Sequence, residues 1–205
     1  MKRNLAILFA LIGWFAVIVQ FAIMINNRVE SIPETIIRFF SFFTILTNLL
    51  VAVYFSFYIS ENKRPVFLTR PGLLTAITVY IAMVGSVYQI LLRHAWDPQG
   101  LQRVVDELLH TIIPVLVIFF WYLYEHKSSI RYTQAFTWLT YPMVYLAYIL
   151  IRGHFSNFYP YPFIDVSRIG LEKALITAGI LVLAFLSVSF IFIFLSRSIL
   201  SRDSS

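Results

Sequence analysis

Apolar residues run through this chain in six long blocks, at approximately 5–25, 36–60, 72–92, 105–124, 133–151 and 169–196. Only short polar segments separate them. A helix needs about 20 mainly apolar residues to cross a hydrocarbon core, and each block reaches that length. The runs are continuous. Outer-membrane strands would instead alternate over about ten residues, and lipid obliges an open backbone to bond within its own segment. The pattern predicts an all-α integral membrane protein, a six-transmembrane-helix bundle forming a single domain over residues 1–205. Met1-Lys2-Arg3-Asn4 precedes an apolar run too long for a signal-peptide core, with no small-residue cleavage site after it, so the first block reads as an uncleaved helix.

The connections are short. ENKRP and EHKSSIRYTQ are polar. HAWDPQGLQRVV predicts a turn at Asp97-Pro98-Gln99-Gly100 leading into the fourth helix. RGHFSNFYPYPFIDVSRIG is rich in aromatics, which favour the membrane interface; it also suits the cover of a cavity. No internal repeat supports an inverted-repeat transporter.

Composition sharpens the class. Apolar residues make up 60% and charged residues 13% of the chain, against about 25% charged in soluble domains. The net charge of +6 is unevenly placed. One set of connections carries nine basic residues (Lys2, Arg3, Lys63, Arg64, Arg70, Lys127, Arg131, Arg197 and Arg202) against three acids. The other set, with its helix ends, carries seven of each. Basic loops stay cytoplasmic, which predicts both termini inside for a multi-pass cell-membrane protein. The charges lie in short juxtamembrane loops, so the basic balance needs no nucleic acid. Cysteine is absent, which excludes thiolate chemistry.

Against this background, polar residues inside the blocks stand out, because an ionisable group in a hydrocarbon core is costly unless it serves a function. His110 lies in DELLHTIIPVLVIFF, and Thr44, Thr47 and Asn48 in FFTILTNLLVAVYF. Counting from the outer ends of their helices at 1.5 Å per residue places Thr44 roughly 12 Å and His110 roughly 8 Å deep. Ser41, Thr44 and Asn48 then share one helix face. Asp106 precedes His110 by four residues, which puts its carboxylate one turn away on the same face. A hydroxyl, a base and a group that orients the base make an activated nucleophile. Thr44, His110 and Asp106 could fill these roles, with Asn48 or Thr47 donating to an oxyanion. Spacing alone favours helix-to-helix hydrogen bonding without chemistry for the same residues.

Tyr141, Tyr145, Tyr148 and Arg152 form a stripe on the fifth helix. It reads as an aromatic face with an interfacial arginine, or as an acyl groove whose arginine holds a lipid carboxylate. Asp165 is a possible partner for Arg152. Tyr88 and Gln89 can add to an interior polar patch or to core packing. No His pair matches in depth for haem, and no His/Glu motif suggests a metal.

FFTILTNLLVAVYF, DELLHTIIP, YPMVYLAYILIRG and YPYPFIDV, in that order, resemble the androgen-induced-gene family of six-pass membrane proteins, particularly its bacterial branch. Animal members are threonine hydrolases of fatty acid esters of hydroxy fatty acids, working with an intramembrane Thr and His and no cofactor. The resemblance places the nucleophile at Thr44 and the base at His110. The animal motif has Asn three residues after the threonine, where this chain has Thr47 followed by Asn48, so Thr47 is a second candidate nucleophile. The His-to-Pro spacing is one residue shorter here. Together these readings imply a cofactor-independent lipid-ester hydrolase. Thr44 and His110 would be catalytic, with Asp106, Asn48 and Thr47 supporting. Arg152, Tyr145, Tyr148 and Gln89 would bind a membrane lipid or fatty-acid ester. A lipid-binding or small-solute transport protein with the same polar cavity, or a non-catalytic membrane scaffold, are the alternatives.

Overall fold

The computed structural model describes residues 1–60 and 70–203, with side chains to residue 199. Among the described residues every regular element is helical and none is a strand. The loop segment ENKRP, with Lys63 and Arg64, lies outside them. The chain divides into two compact units, Met1–His126 and Lys127–Ser205.

The first unit contains α1 (Lys2–Asn26), α2 (Ile32–Phe39), α3 (Phe43–Ile59) and α4 (Leu73–Val87), which continues as a π-turn over Tyr88–Leu92. α5 (Gly100–Glu107) follows, then a second π-turn (Leu108–Ile112) and α6 (Ile113–Tyr124). α5 starts at Gly100; the turn of this connection lies at residues 93–95, and residues 96–99 are irregular, a correction to the turn expected at Asp97-Pro98-Gln99-Gly100.

The second apolar block is not one helix. α2 and α3 meet at 72° across residues 40–42, a correction to the continuous span expected over 36–60. The change is local. Ser41 Oγ donates to the Ile37 carbonyl at 2.7 Å, the carbonyl that the Ser41 amide would take in an α-helix. That amide turns to Arg38 instead, 3.0 Å away. Ser56, Thr78 and Ser189 make the same hydroxyl bond within unbroken helices; at Ser41 the amide has also left the carbonyl, and Phe42 follows in an extended conformation. Ser41 therefore lies in the break and does not share a helix with Thr44 and Asn48.

α1 packs along α3 through small residues. A Cβ on Gly13 would lie 3.1 Å from that of Ala52, closer than most side-chain contacts, so glycine eases this approach. Phe9 sits edge-on to Phe55 and Phe120, at 5.3 and 5.9 Å between centroids. α4 is the most enclosed helix, with Ile77, Val79 and Ile81 fully buried. Several polar groups that enter this core are tied off, as a low-dielectric interior favours, while Asn48 Oδ1 and the Tyr124 hydroxyl are buried without a hydrogen-bond partner. Trp14 Nε1 donates to Ser56 and Trp121 Nε1 to Thr75, both at 2.9 Å. The Glu125 carboxylate accepts from the amide and hydroxyl of Thr75 at 2.9 Å each, capping the first turn of α4. The Lys2 ammonium lies over the rings of Tyr58 and Tyr124. These contacts gather the start of α1 and the ends of α3 and α6 at one end of the unit. α2, the start of α3 and both π-turns lie at the other.

The second unit contains α7 (Gln134–Trp138), α8 (Thr140–Ser156), α9 (Val166–Ile169) and α10 (Leu171–Asp203). α8 runs past the expected end at residue 151, so Arg152 and His154 are helical. Asn157 stops it in the left-handed conformation, φ 53°, and the Tyr159 ring folds back onto Gly153. Asp165 opens α9 by accepting from the Ser167 amide at 3.0 Å.

Among the described residues five helices are long and apolar enough to cross a membrane, or six if the bent pair α2–α3 counts as one span. Large apolar side chains lie exposed along them, among them Phe15, Ile18, Val144, Ile180, Leu183 and Phe194. A soluble monomer avoids surface of this extent, whereas lipid contact requires it.

Candidate active site

Proline builds the site's first wall. Pro114 has no amide hydrogen, and its ring crowds the carbonyl four residues earlier. That carbonyl belongs to His110, and the helix widens into a π-turn over Leu108–Ile112. A Cβ on Gly85 would come within 3.2 Å of both the His110 oxygen and Pro114, so glycine at residue 85 lets α4 lie against this turn without displacing it. Single π-turns are often found at functional sites. Here a second one, Tyr88–Leu92, lies on the facing helix.

The break before α3 builds the opposite wall. It places Thr44 second in α3, at the positive end of the aligned peptide dipoles, and not 12 Å along a helix as the sequence suggests. Thr44 Oγ1 lies 3.4 Å from His110 Nε2. On the other side of the ring, His110 Nδ1 is 2.9 Å from the Asp106 carbonyl oxygen and 3.3 Å from Asp106 Oδ1. Both of these neighbours are acceptors, so the network assigns the proton to Nδ1. Nε2 then carries the lone pair and faces the threonine hydroxyl. Thr44 and Asp106 are buried, at 8% and 5% exposure.

Tyr88 completes the enclosure. Its ring stacks on the His110 imidazole, 4.1 Å between centroids and 15° from parallel. Its hydroxyl donates to Asp106 Oδ2. The sequence pointed to Tyr88 only as a polar residue in an apolar block. Its partnership with Asp106 depends on two helices meeting.

Asn48 is fully buried. Its Nδ2 donates to the Thr44 carbonyl at 2.9 Å and to the Leu109 carbonyl at 3.3 Å. Both amide hydrogens are committed, so the expected donation to an oxyanion is corrected: Asn48 fastens α3 to the His110 turn. Thr47 is fully buried one residue before it.

Gln89 belongs to a neighbouring network. It donates to Thr111 Oγ1 and accepts from Arg93, both at 2.9 Å. Arg93 pairs with Glu107 at 2.5 Å, and Thr111 donates to Glu107 at 2.7 Å. This ring joins the two π-turns on their outward side.

Arg152, Tyr145 and Tyr148 lie on α8 in the second unit. Arg152 donates to Ser156 at 3.3 Å and lies over the Phe158 ring. Asp165 caps α9 and lies 4.0 Å from Arg168. Among the described residues no three His, Asp or Glu side chains converge to hold a metal ion. No family model, no curated protein and no solved structure matches this chain.

Proposed function

We propose that this protein is a membrane hydrolase of lipid esters in which Thr44 is the nucleophile and His110 the base, and that it belongs with the androgen-induced-gene family it resembles. The observation that carries the reading is the chain Thr44–His110–Asp106. A hydroxyl faces the unprotonated nitrogen of an imidazole whose other nitrogen is bonded to the Asp106 carbonyl oxygen at 2.9 Å, with the Asp106 carboxylate 3.3 Å away. Separations slightly beyond an ideal hydrogen bond are usual before substrate binds.

In the first step Thr44 Oγ1 bonds to the ester carbonyl carbon while its proton passes to His110 Nε2. Asp106 stabilises the imidazolium. The carbonyl electron pair moves to oxygen, where the dipoles at the start of α3 favour negative charge. Collapse expels the alcohol oxygen, which takes the proton back from His110. Water then gives a proton to Nε2 and attacks the acyl-threonine, releasing the acid and restoring the hydroxyl. No cofactor enters. On α8, Arg152 above Tyr145 and Tyr148 has the chemistry to receive a lipid carboxylate.

We place all six spans in the cell membrane with both termini cytoplasmic, on the charge asymmetry of the connections. The site then lies in the outer half of the bilayer, since Lys2 marks the opposite end of the first unit.

Fluorophosphonate labelling of the purified protein, with peptide mapping, tests the reading. The expected adduct is on Thr44 and is lost in His110→Ala at matched folding. An adduct on Thr47 would move the nucleophile. Absence of any adduct from folded protein, together with no hydrolysis of a panel of lipid esters, would reject the hydrolase. The committed amide of Asn48 specifically favours the scaffold alternative, and loss of stability without labelling in every variant would establish it.

A further inference from the structure

The proposed chemistry uses Thr44, His110 and Asp106 but gives no task to Tyr88, the residue that touches two of the three. Tyr88 is buried and opens the π-turn of α4. Its hydroxyl and its ring serve different partners. The hydroxyl donates to Asp106 Oδ2, leaving Oδ1 3.3 Å from His110 Nδ1, beside the Asp106 carbonyl oxygen at 2.9 Å. The ring covers the face of the imidazole. A carboxylate with one oxygen held cannot rotate freely about its terminal torsion, and an imidazole stacked on a buried ring cannot tilt. Two degrees of freedom that would loosen the Thr44–His110 approach are thus removed by one side chain on a third helix.

The alternative is that Tyr88 only fills space. A filler needs no hydroxyl bonded to a buried carboxylate, and leucine or phenylalanine would pack with no polar atom to satisfy. The position of the π-turn argues further. Its wide turn bonds the Arg93 amide to the Tyr88 carbonyl at 2.8 Å, which shifts the helix register immediately after the residue that meets the histidine.

We propose that Tyr88 is a positioning residue: it holds Asp106 and the imidazole plane so that His110 keeps its proton on Nδ1 and presents Nε2 to Thr44. This rests on the hydrolase reading for its consequence, but its physical content is the tautomer of His110, which can be read without any substrate. Ordered second partners of this kind are what keep a reactive group in its productive geometry.

The test is nitrogen-15 NMR of histidine-labelled full-length protein in lipid nanodiscs. His110 is assigned by comparison with His110→Gln. In the wild type His110 is expected to be protonated at Nδ1 and unprotonated at Nε2. Tyr88→Phe keeps the stack and removes the hydroxyl. It should mix the two tautomers and slow fluorophosphonate labelling of Thr44 by roughly ten- to a hundredfold, the range expected for one lost hydrogen bond to a charged group. Asp106→Asn reaches the same network from its other end. An amide turned toward Nδ1 would move the proton to Nε2, the wrong-tautomer outcome known when a triad carboxylate becomes an amide. It keeps the proposal testable should Tyr88→Phe fail to fold. A wild-type His110 protonated at Nε2, or a folded Tyr88→Phe with unchanged tautomer, overturns the proposal. A tautomer that shifts in a protein that never labels supports positioning and counts against the hydrolase. Intact labelling with an unmoved tautomer does the reverse.

Discussion

The side-chain amide of Asn48 donates to the backbone carbonyl of Leu109, 3.3 Å away, and so ties the first two turns of α3 to the residue preceding the candidate base. The same nitrogen holds the Thr44 carbonyl at 2.9 Å. One side chain therefore sets the spacing between the helix that carries the hydroxyl and the turn that carries the imidazole. Asn48→Asp would set a carboxylate oxygen against two carbonyl oxygens in a fully buried place. A loss of about 2–4 kcal/mol is expected, seen as a lower thermal midpoint by circular dichroism in detergent. A midpoint equal to that of the wild type would mean that Asn48 is not the fastening.

Gly85 should resist any side chain larger than hydrogen. Valine there would press its methyl groups on the His110 carbonyl and Pro114, each already 3.2 Å from an ideal Cβ. Overpacking of this kind costs about 1–3 kcal/mol, and it would displace the π-turn. Both the thermal midpoint and Thr44 labelling should fall. Gly179 on α10 has nothing within 4 Å of its Cβ position. Gly179→Ala should hold or raise the midpoint, since alanine gains up to about 1 kcal/mol over glycine inside a helix. Equal losses at the two sites would show that close approach is not the cause at Gly85.

Arg93 and Glu107 illustrate the limited value of a wet ion pair. Their side chains are 42% and 31% exposed, and such pairs contribute about 0–1 kcal/mol. Glu107→Gln should therefore shift the thermal midpoint only slightly, and less at high salt. Asp106→Ala should shift it far more, because it leaves the buried Tyr88 hydroxyl without its acceptor. If the Glu107 variant proves the more damaging, the outward ring with Gln89 and Thr111 is the true clamp between the π-turns.

Tyr159 predicts an alkaline limit for the second unit. Burial against Gly153 and then the nearby Asp165 charge raise its phenol above the ordinary value of 10.0. A group that holds its proton more tightly when folded adds stability that is fully present below its unfolded pKa. That stability is lost as pH rises through the folded pKa. Stability should thus decline above about pH 10, and Tyr159→Phe should flatten the decline. Thermal midpoints measured from pH 8 to 11 decide this; parallel curves for the two proteins would remove Tyr159 as the cause.

The helical class was legible in the chain because lipid leaves a long apolar segment almost no other backbone solution. The lengths of the apolar blocks located five of the helices closely. The sixth failed at residues 40–42, where the Ser41 amide turns to the Arg38 carbonyl and Phe42 is extended, a change of backbone path that hydropathy does not register. That failure mattered, because it moved Thr44 from the middle of a helix to the start of one. The extension of α8 past residue 151 was missed for the opposite reason: a polar, histidine-containing segment continued a helix that composition alone would end.

For the site, the sequence by itself determined which residues were costly to bury, and the four-residue step from Asp106 to His110 predicted their contact from helix geometry alone. Only the tertiary structure decided that Thr44 would meet that imidazole, 66 positions away, and that Asn48 would spend both amide hydrogens on carbonyls. It alone brought Tyr88 onto the histidine. Local bonds follow from the period of a helix and can be counted along the chain. Contacts between helices depend on which faces turn together, and here a bend before α3, a proline-widened turn and a glycine gap set those faces.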